Sequence, residues 1–377
     1  MGIFDFFKKK SSDKPIVQVN KTEISKIHIE NKNLSTSDND IPSLEERIKN
    51  AVTSKNGLYP HEIIMLDYAH TYKNSNNSFQ NFWKWNYSVL EPQELLNSLF
   101  NRGFIKTGGI KSVLCKLKVN ELKELLTNKN QKTTGKKDEL IERIIANYNE
   151  DELNKNFPDR YFELTEKGET ELKENDYVSY LHRHNFMTVW EMNQLLYNDN
   201  PSHLKYRDIL WREFNKRSGE HFQNHDFGLY RNTRLNMHDF LMEEEKYKTA
   251  FALLAEVASF DLSGLGNGDK LVPRDEFSRK IIFESKMVNL FTNDKEEVTL
   301  PPGILRYFEK LYDVLEMSDE EFIEYTYKEF SQIKIHERTF DPDECANILL
   351  SEIGKEERKI KNSYAVAEQR VKKLLGI

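Results

Sequence analysis

The sequence predicts a mainly α-helical protein with one small β element. Apolar residues recur at helical spacing through most of the chain, above all in the long stretch after His184. Two short segments have the character of strands: "FIKTG" follows a helix-ending glycine, and "YFELTEKG" alternates apolar and polar residues. A basic segment with two further helical patterns and a polar loop lies between them. We therefore expect helices throughout, one pair of strands, and an insertion between those strands.

Composition limits the classes of function. The chain has 377 residues, enough for two or three domains that each bury their own core. Its net charge is -7, so a contact with DNA or RNA has to come from a local basic patch. Cys115 and Cys345 are far apart and form no CxxC pair, which predicts reduced thiols in a cytoplasmic protein. No apolar run approaches the roughly 18 residues that span a bilayer, so we expect no membrane partner.

Residues 1–50 are predicted to be a flexible N-terminal tail. From Ser11 onward they mix Lys, Asn, Ser and Asp with isolated β-branched residues, a composition that buries little apolar surface. The opening "MGIFDFFKKK" places three phenylalanines beside three lysines. A weak contact with a membrane surface or a partner groove is one interpretation of this opening, and a disordered tail is the favoured one.

Three helices are predicted between residues 57 and 103. Pro60 suits the first turn of the first helix, which has an apolar side. The aromatic-rich stretch "SFQNFWKWNYSV" predicts a second helix or an aromatic plug. The third helix starts at Pro92 and stops at Gly103. After the second strand, Thr165 is predicted to cap one more helix.

This order of three helices, a strand, a returning strand and another helix resembles the winged-helix fold. In that family the third helix usually lies in the DNA major groove and the two strands form the wing. The resemblance assigns residues 51–112 and 157–184 to one winged-helix-like domain with a small β wing. Residues 113–156 then form an insert that replaces the wing tip.

The third helix carries side chains that suit DNA. Gln93, Asn97 and Arg102 are predicted to read base edges or phosphates, since amides pair well with adenine. Glu91 and Glu94 share that helix, and carboxylates near phosphates lower the affinity. Winged helices also serve as dimerisation and protein-docking modules, so that alternative stays open for this helix.

The segment from Leu117 to Ile145, "LKVNELKELLTNKNQKTTGKKDELIERII", is predicted to form two helices that pack on each other. Its apolar residues recur at i, i+3 and i+4 in both halves. The segment resembles the SAP motif, a helix–extended loop–helix unit associated with DNA binding. The residues that carry the resemblance are Leu117, Val119, Leu122, Leu125, Leu126, Gly135, Lys136, Lys137, Leu140, Ile141, Arg143 and Ile144.

The loop of the insert is the predicted DNA-binding site. Its basic side chains are expected to project together toward phosphates, where each contact releases counterions. The loop glycine allows a backbone that a side chain would hinder, and a threonine adds a neutral phosphate contact. The predicted residues are Lys132, Thr134, Gly135, Lys136, Lys137 and Arg143.

The loop departs from the family pattern at two positions. Asn130 stands where the family commonly has glycine, although asparagine tolerates the left-handed conformation. Gln131 stands where an apolar residue is usual, which predicts looser packing of the loop. A solvated, lysine-rich helical hairpin that contacts only protein is the alternative interpretation of the insert.

Residues 185–377 are predicted to form an α-helical domain. The stretch from Leu229 to Leu262 resembles one tetratricopeptide-type hairpin, with a charged turn at residues 245–247. Helical stacks of this kind are usually scaffolds for proteins. We therefore expect a protein partner, or self-association, through this domain.

Few residues in the sequence suggest catalysis. His221 and His225 have a zinc-like spacing, but no third ligand is evident. Asp275, Glu284 and Lys286 resemble the pattern of PD-(D/E)xK nucleases, in which carboxylates hold Mg²⁺ and a lysine orients the attacking water. Their neighbourhood is helical, whereas that nuclease core needs a sheet. We therefore predict no catalytic site, no metal and no cofactor.

Together these features predict a non-enzymatic protein that binds DNA with weak sequence specificity, or with a preference for AT-rich DNA. Phosphate contacts through the insert would supply the affinity. One alternative is a protein-interaction adaptor that does not bind DNA, and a metal-dependent nuclease is the third hypothesis. The architecture resembles SAP-containing proteins of Gram-positive bacteria and their prophages.

Overall fold

The computed structural model describes residues 42–75, 77–200, 202–263, 300–333, 340–356, 358–363, 365–366 and 369. In this part the chain is mostly helical and has one small two-stranded sheet, which confirms the predicted fold class. Contacts divide the chain into two compact units, with the boundary between Ile209 and Leu210. No helix in the described ranges has the length and apolarity needed to cross a membrane.

The first unit contains both strands and the predicted insert. Its elements are α1 (Leu44–Lys49), α2 (Pro60–Tyr68), α3 (Phe82–Tyr87), α4 (Pro92–Asn101), β1 (Ile105–Thr107), α5 (Ile110–Leu114), α6 (Val119–Asn128), α7 (Lys137–Asn147), α8 (Glu150–Asn156), β2 (Phe162–Leu164), α9 (Glu166–Glu174), α10 (Asp176–His184) and α11 (Val189–Tyr197). The helices and strands predicted between residues 57 and 184 are therefore present.

Helix α2 is the centre of the first unit. It starts at Pro60, as predicted, and packs against α4, α9, α10 and α11. The side chains of Ile63, Ile64 and Met65 are at most 1% exposed, so the helix is buried on several sides. The neighbouring His61 is stacked on Trp190 at a ring distance of 5.8 Å. Burial lowers the pKa of His61 to about 4, because the charged imidazolium loses its hydration there.

The aromatic stretch before α4 forms the short helix α3 and closes this core. Trp83 is 1% exposed, and its indole N–H donates to the Tyr72 hydroxyl at 2.8 Å. His182 of α10 lies between two phenols, with Tyr68 Oη 2.9 Å from Nε2 and Tyr87 Oη 2.8 Å from Nδ1. Burial also lowers the pKa of His182. The predicted second helix is thus both a helix and an aromatic plug.

The two strands pair in antiparallel register, with Ile105 opposite Leu164. The chain near Tyr72 borders the other edge of β2, through a bridge between Lys73 and Tyr161. Thr165 then caps α9 as predicted, because its hydroxyl accepts the N–H of Gly168 at 3.2 Å. The insert leaves the sheet after β1 and returns to it at β2.

Helices α1 and α11 belong to the first unit, although the sequence placed α1 in the predicted tail and α11 in the predicted C-terminal domain. Residues 1–41 of the predicted tail lie outside the described residues, whereas residues 44–49 form α1. Arg47 of α1 donates to the Ser88 hydroxyl at 2.8 Å, which attaches this helix to the unit. At the other end, Asn193 of α11 donates to the Val52 carbonyl at 2.9 Å and accepts the Val52 N–H at 2.8 Å. Helix α11 therefore packs with the first unit.

The second unit consists of helices in its described part. They are α12 (Tyr206–Gln223), which begins before the boundary, α13 (Phe227–Glu243), α14 (Tyr247–Ser263), α15 (Pro302–Leu315), α16 (Asp319–Ser331) and α17 (Pro342–Gly354). Helices α13 and α14 form the predicted hairpin, and Glu245 in its turn is left-handed, with φ 56°. Arg231 donates to both carboxylate oxygens of Asp261, at 2.8 and 2.6 Å, and so joins the two helices.

Candidate nucleic-acid interface

The insert has a hydrophobic core of its own. Leu122 and Leu126 from α6 meet Leu140, Ile141 and Ile144 from α7, and all five side chains are 0% exposed. The other members of this cluster are Ile110, Leu114, Leu117, Leu125, Ile145, Tyr148, Leu153 and Phe157, which all belong to the insert or its edges. The periodic apolar positions seen in the sequence therefore satisfy one another, as predicted.

The backbone after α6 explains how the loop begins. Asn130 is left-handed, with φ 54°, so asparagine fills the position where glycine was expected. Its N–H donates to the Thr127 carbonyl at 2.9 Å, and the Gln131 N–H donates to the Leu126 carbonyl at 2.8 Å. These two bonds are the Schellman pattern that closes a helix and turns the chain away from it.

Gly135 occupies a backbone conformation that favours glycine. Its φ is 134°, and a Cβ built at this residue would lie 2.4 Å from Oε2 of Glu139. The positive φ is a conformation that residues with a side chain rarely adopt, and it brings the loop close to the Glu139 side chain in the first turn of α7. This confirms the prediction that a side chain would hinder the loop backbone at this position.

Arg143 of α7 points back to the loop. Its Nη1 donates to the Lys132 carbonyl at 2.6 Å and to the Thr134 carbonyl at 3.1 Å. A guanidinium group has several N–H donors in one plane and suits such a bridge. The structure thus gives the Arg143 side chain two partners inside the insert.

Lys111, just before the insert, and two lysines of the insert also have internal partners. Lys137 Nζ donates to the Cys115 carbonyl at 2.7 Å, which ties the start of α7 to the end of α5. Lys111 Nζ lies 2.6 Å from the Glu142 carboxylate, and this pairing raises the pKa of Lys111. Lys129 Nζ lies 2.8 Å from both oxygens of Glu152. The ammonium groups of Lys111 and Lys129 are therefore paired with carboxylates, and that of Lys137 is bonded to a carbonyl but keeps its full charge.

Lys132 and Lys136 are the cations of the loop that face solvent. Both are exposed, and neither ammonium has a side-chain or backbone partner within the ranges the structure describes. Lys136 is also the N-cap residue of α7, and no side chain caps that helix. Thr134 is exposed beside them. The loop thus presents two free positive charges and a hydroxyl next to a helix N-terminus, whose dipole favours anions.

The insert is attached to the strands through Tyr161, the residue before β2. The Gly108 N–H donates to the Tyr161 carbonyl at 2.9 Å, and the Tyr161 N–H donates to the Ser112 hydroxyl at 3.3 Å. The Tyr161 ring lies between two ammonium groups, with Lys73 Nζ at 5.6 Å and Lys116 Nζ at 5.5 Å. The insert is therefore joined to the sheet by more than its two chain connections.

The predicted reading residues of α4 bond to each other and to a loop. Asn77 Nδ2 donates to Gln93 Oε1 at 3.1 Å, and Gln93 Nε2 donates to Asn97 Oδ1 at 3.0 Å. Asn77 is itself held by the backbone, since its Oδ1 accepts the Lys73 N–H at 2.7 Å. Gln93 and Asn97 thus lie together at the surface, in a chain of amides that begins at the backbone.

Arg102, at the C-terminal end of α4, also has internal partners. Its Nη1 donates to the Glu62 carboxylate of α2, and its Nη2 donates to the Gly57 carbonyl at 3.0 Å. The Glu62 side chain is 9% exposed, so Arg102 balances a buried charge. The structure therefore places Arg102 in a contact that supports the fold. Sequence spacing did not indicate this role, because the partners lie far along the chain.

The residues considered for metal chemistry are separate from the insert. Asp275, Glu284 and Lys286 lie outside the described residues. His221 lies near the end of α12 and His225 follows that helix, with φ 59°. In the described ranges, no group of three or more His, Cys, Asp or Glu side chains could hold a metal ion.

Comparisons with known proteins concern the insert. No curated protein and no solved structure matched this chain. Among protein families, the SAP domain matches residues 113–149, which include α6, the loop and α7. The insert is therefore a SAP domain, a unit that suggests binding of DNA or nucleic acid in general.

Proposed function

We propose that this protein is a non-enzymatic DNA-binding protein that contacts phosphates through the loop of its SAP domain. The observation that carries the proposal is the pair Lys132 and Lys136, two exposed lysines in the loop that leads into the N-terminus of α7. Each phosphate contact made by such a cation releases condensed counterions from the duplex. Thr134 and the loop backbone would add neutral contacts to phosphate.

Charge distribution supports weak and broadly tolerant binding. The whole chain carries a net charge of -7, so long-range attraction to DNA is absent and a compact cluster has to supply the affinity. Contacts to phosphate are independent of sequence, and non-specific complexes have a Kd of roughly 10⁻⁴ to 10⁻⁶ M at physiological salt. A preference for AT-rich duplexes would come from groove shape and not from these contacts.

We also propose that residues 51–112 and 157–184 form a winged-helix-like domain. The order α2, α3, α4, β1, β2 and α9 and the antiparallel pairing support this assignment. In the same proposal the C-terminal helices, with their tetratricopeptide-like hairpin α13–α14, hold a protein partner or a second copy of the chain. A cytoplasmic location and an origin in a Gram-positive bacterium or prophage belong to this proposal as well.

A protein-docking role for α4 is the second candidate, and a specific observation favours it. Arg102 is paired with Glu62, and Glu94 adds a negative charge to the same helix. Both features reduce the attraction of this helix for phosphates. The adaptor hypothesis therefore applies best to α4, while the SAP loop keeps the features of a nucleic-acid contact.

Fluorescence anisotropy of the full chain with random and AT-rich duplexes, at 50 and 200 mM salt, tests the proposal. We expect binding that weakens steeply with salt and differs little between the duplexes. Salt-independent binding would contradict phosphate contacts, and absence of binding at 50 mM salt would favour the adaptor.

A nuclease assay tests the non-enzymatic part. Plasmid DNA incubated with the full chain and Mg²⁺ or Mn²⁺ should remain intact. Cleavage that disappears in both Glu284→Gln and Lys286→Ala variants would show that the nuclease hypothesis is right. Cleavage that persists in those variants would indicate a contaminant or a different catalytic site.

A further inference from the structure

We propose that Arg143 is a positioning residue: it holds the loop between α6 and α7 in its binding conformation and does not itself contact phosphate. This inference rests on the proposed DNA-binding function of the SAP domain. According to this inference, Lys132 and Lys136 contact the phosphates, and Arg143 holds the backbone of the loop that carries Lys132.

Arg143 bridges two carbonyls of the loop. One nitrogen, Nη1, donates to the carbonyls of Lys132 and Thr134, at 2.6 and 3.1 Å. These carbonyls belong to residues two apart in a segment without regular secondary structure. Such a segment has few backbone hydrogen bonds of its own, so the bridge from Arg143 restricts its conformation.

The base from which Arg143 reaches the loop is rigid. Arg143 lies between Ile141 and Ile144, both 0% exposed in the core of the insert. The start of α7 is fixed in addition by the bond from Lys137 to the Cys115 carbonyl. A side chain that projects from such a helix can transmit its position to a flexible neighbour.

The backbone features that fix the loop lie at its two ends, and Arg143 acts on the residues between them. The turn at Asn130 and Gln131 fixes the beginning, and the φ of 134° at Gly135 fixes the end. Between them, Lys132 and Thr134 are exposed while Gln131 and Thr133 are half-buried. The contacts of Arg143 fall on this middle part and therefore restrict the backbone from which the Lys132 side chain extends.

Electrostatics gives a second reason. Carbonyl oxygens carry partial negative charge, and two of them beside a bound phosphate would repel it. The Nη1 group of Arg143 donates to the carbonyls of both Lys132 and Thr134 and so offsets part of that negative charge. If Nη1 turned away to donate to a phosphate, both carbonyls would lose this donor.

The test combines a binding cycle with a direct observation of the loop, all in the full chain. Arg143→Met is made in the parent and in the Lys132→Ala, Lys136→Ala background, and binding to a random duplex is measured by anisotropy at 20 mM salt. Lys111→Met is the matched control, because it also removes one cation, and that cation is paired with Glu142 of α7. The amide resonance of Gly135, in protein labelled with [¹⁵N]glycine, reports the loop without any DNA.

We expect Arg143→Met to lower the affinity of the parent by about 30-fold, similar to one lost phosphate contact at 20 mM salt. In the double-lysine background it should cause no further loss, because the residues that it positions are already absent. The Gly135 resonance should shift in Arg143→Met and stay in place in Lys111→Met. Arg143→Lys should restore affinity only as far as it restores that resonance.

Three results would overturn the inference. An equal loss in both backgrounds would make Arg143 a direct phosphate contact. An unchanged Gly135 resonance would show that Arg143 does not hold the loop. A lower melting temperature together with lost helical circular dichroism would make Arg143 a residue of general stability. If the parent itself binds no duplex, the proposed function fails, and the Gly135 resonance still decides whether Arg143 holds the loop.

Discussion

The loop of the SAP domain and helix α4 both carry predicted DNA-binding residues, but the polar groups of these residues have different surroundings in the structure. In the loop, Lys132 and Lys136 face solvent without partners among the described residues. In α4, Gln93 and Asn97 bond to each other, and Arg102 bonds to Glu62 and Gly57. The two regions therefore differ in whether their polar side chains already have hydrogen-bond partners within the protein.

This comparison shows why residue type alone does not identify an interface. A cation whose donors are satisfied inside the protein must break those contacts before it binds phosphate, and that lowers its contribution. An exposed ammonium without partners carries no such cost. The SAP loop is therefore the better candidate for a favourable contact with phosphates. The polar side chains of α4 are instead held in place by hydrogen bonds within the protein.

The largest effect is expected from damage to the core under the loop. Leu126→Ala should destabilise the SAP domain by about 2–5 kcal/mol, because its side chain is 0% exposed and leaves a cavity. A domain of this size is marginally stable, so the substitution should unfold it and abolish DNA binding. Residues 110–157 expressed alone should be helical by circular dichroism, and the Leu126→Ala form should not be.

The control is Val119→Ala on the same helix. Val119 is 40% exposed, so its loss should change the melting temperature of the fragment only slightly. A fragment without helical signal at low temperature would contradict the view that the insert folds from its own core.

The second effect concerns the two free lysines. Lys132→Ala together with Lys136→Ala should reduce the slope of log K against log salt by about 1.8, since each contact contributes about 0.9. At 0.1 M salt this corresponds to a loss of affinity of roughly 60-fold. Lys137→Ala is the matched control, because the Lys137 ammonium is bound to the Cys115 carbonyl.

A slope that falls equally in Lys137→Ala and in either single lysine variant would contradict the distinction between free and engaged cations. Anisotropy titrations at three salt concentrations measure all these slopes. Circular dichroism of each variant confirms that the helices of the insert remain folded.

The third effect is a difference in the pH dependence of stability between the insert and the rest of the first unit. The pKa of His61 is lowered to about 4 by burial, from an ordinary value of 6.5. Between these values the unfolded chain binds a proton that the folded chain does not bind, so stability falls as pH decreases. For this group alone the loss between pH 7 and pH 5 is about 2 kcal/mol. His182 adds to the loss, because burial lowers its pKa as well.

Residues 110–157 contain no histidine, so this part should keep its stability across the same range. Urea unfolding of the full chain and of His61→Phe at pH 7 and pH 5 measures the effect in the host. The variant should lose less stability than the parent between the two values. Equal losses in parent and variant would show that His61 is not the group that titrates.

The parts of the molecule that depend on local pattern were predictable from the sequence. The apolar periodicity predicted α6 and α7 and their shared core, and Thr165 was predicted to cap α9. The left-handed Asn130 was also foreseen, because asparagine tolerates this conformation. Such features depend on residues within a few positions of one another.

Contacts between distant residues were not predictable in this way. The bond between Asn193 and Val52 joins residues 141 positions apart, and nothing in either segment indicates it. The same holds for Arg102 with Glu62 and for Lys137 with the Cys115 carbonyl. The direction of a long cationic side chain depends on which carbonyl or carboxylate the fold brings near it. Residue types and their spacing do not show which partner that will be.

The smallest effect on DNA affinity is expected for substitutions in α4, which test whether this helix contributes less to binding than the SAP loop. Gln93→Ala and Asn97→Ala should each change the affinity for random duplexes by less than about twofold, since neither adds charge that phosphate would attract. Arg102→Ala should leave the salt slope unchanged while lowering the melting temperature, because it leaves the Glu62 carboxylate, 9% exposed, without its cation. Anisotropy and thermal melts of the same three variants give both quantities. If Gln93→Ala or Asn97→Ala instead weakens binding to one duplex sequence and not to others, α4 reads bases, and the SAP loop supplies only the background affinity.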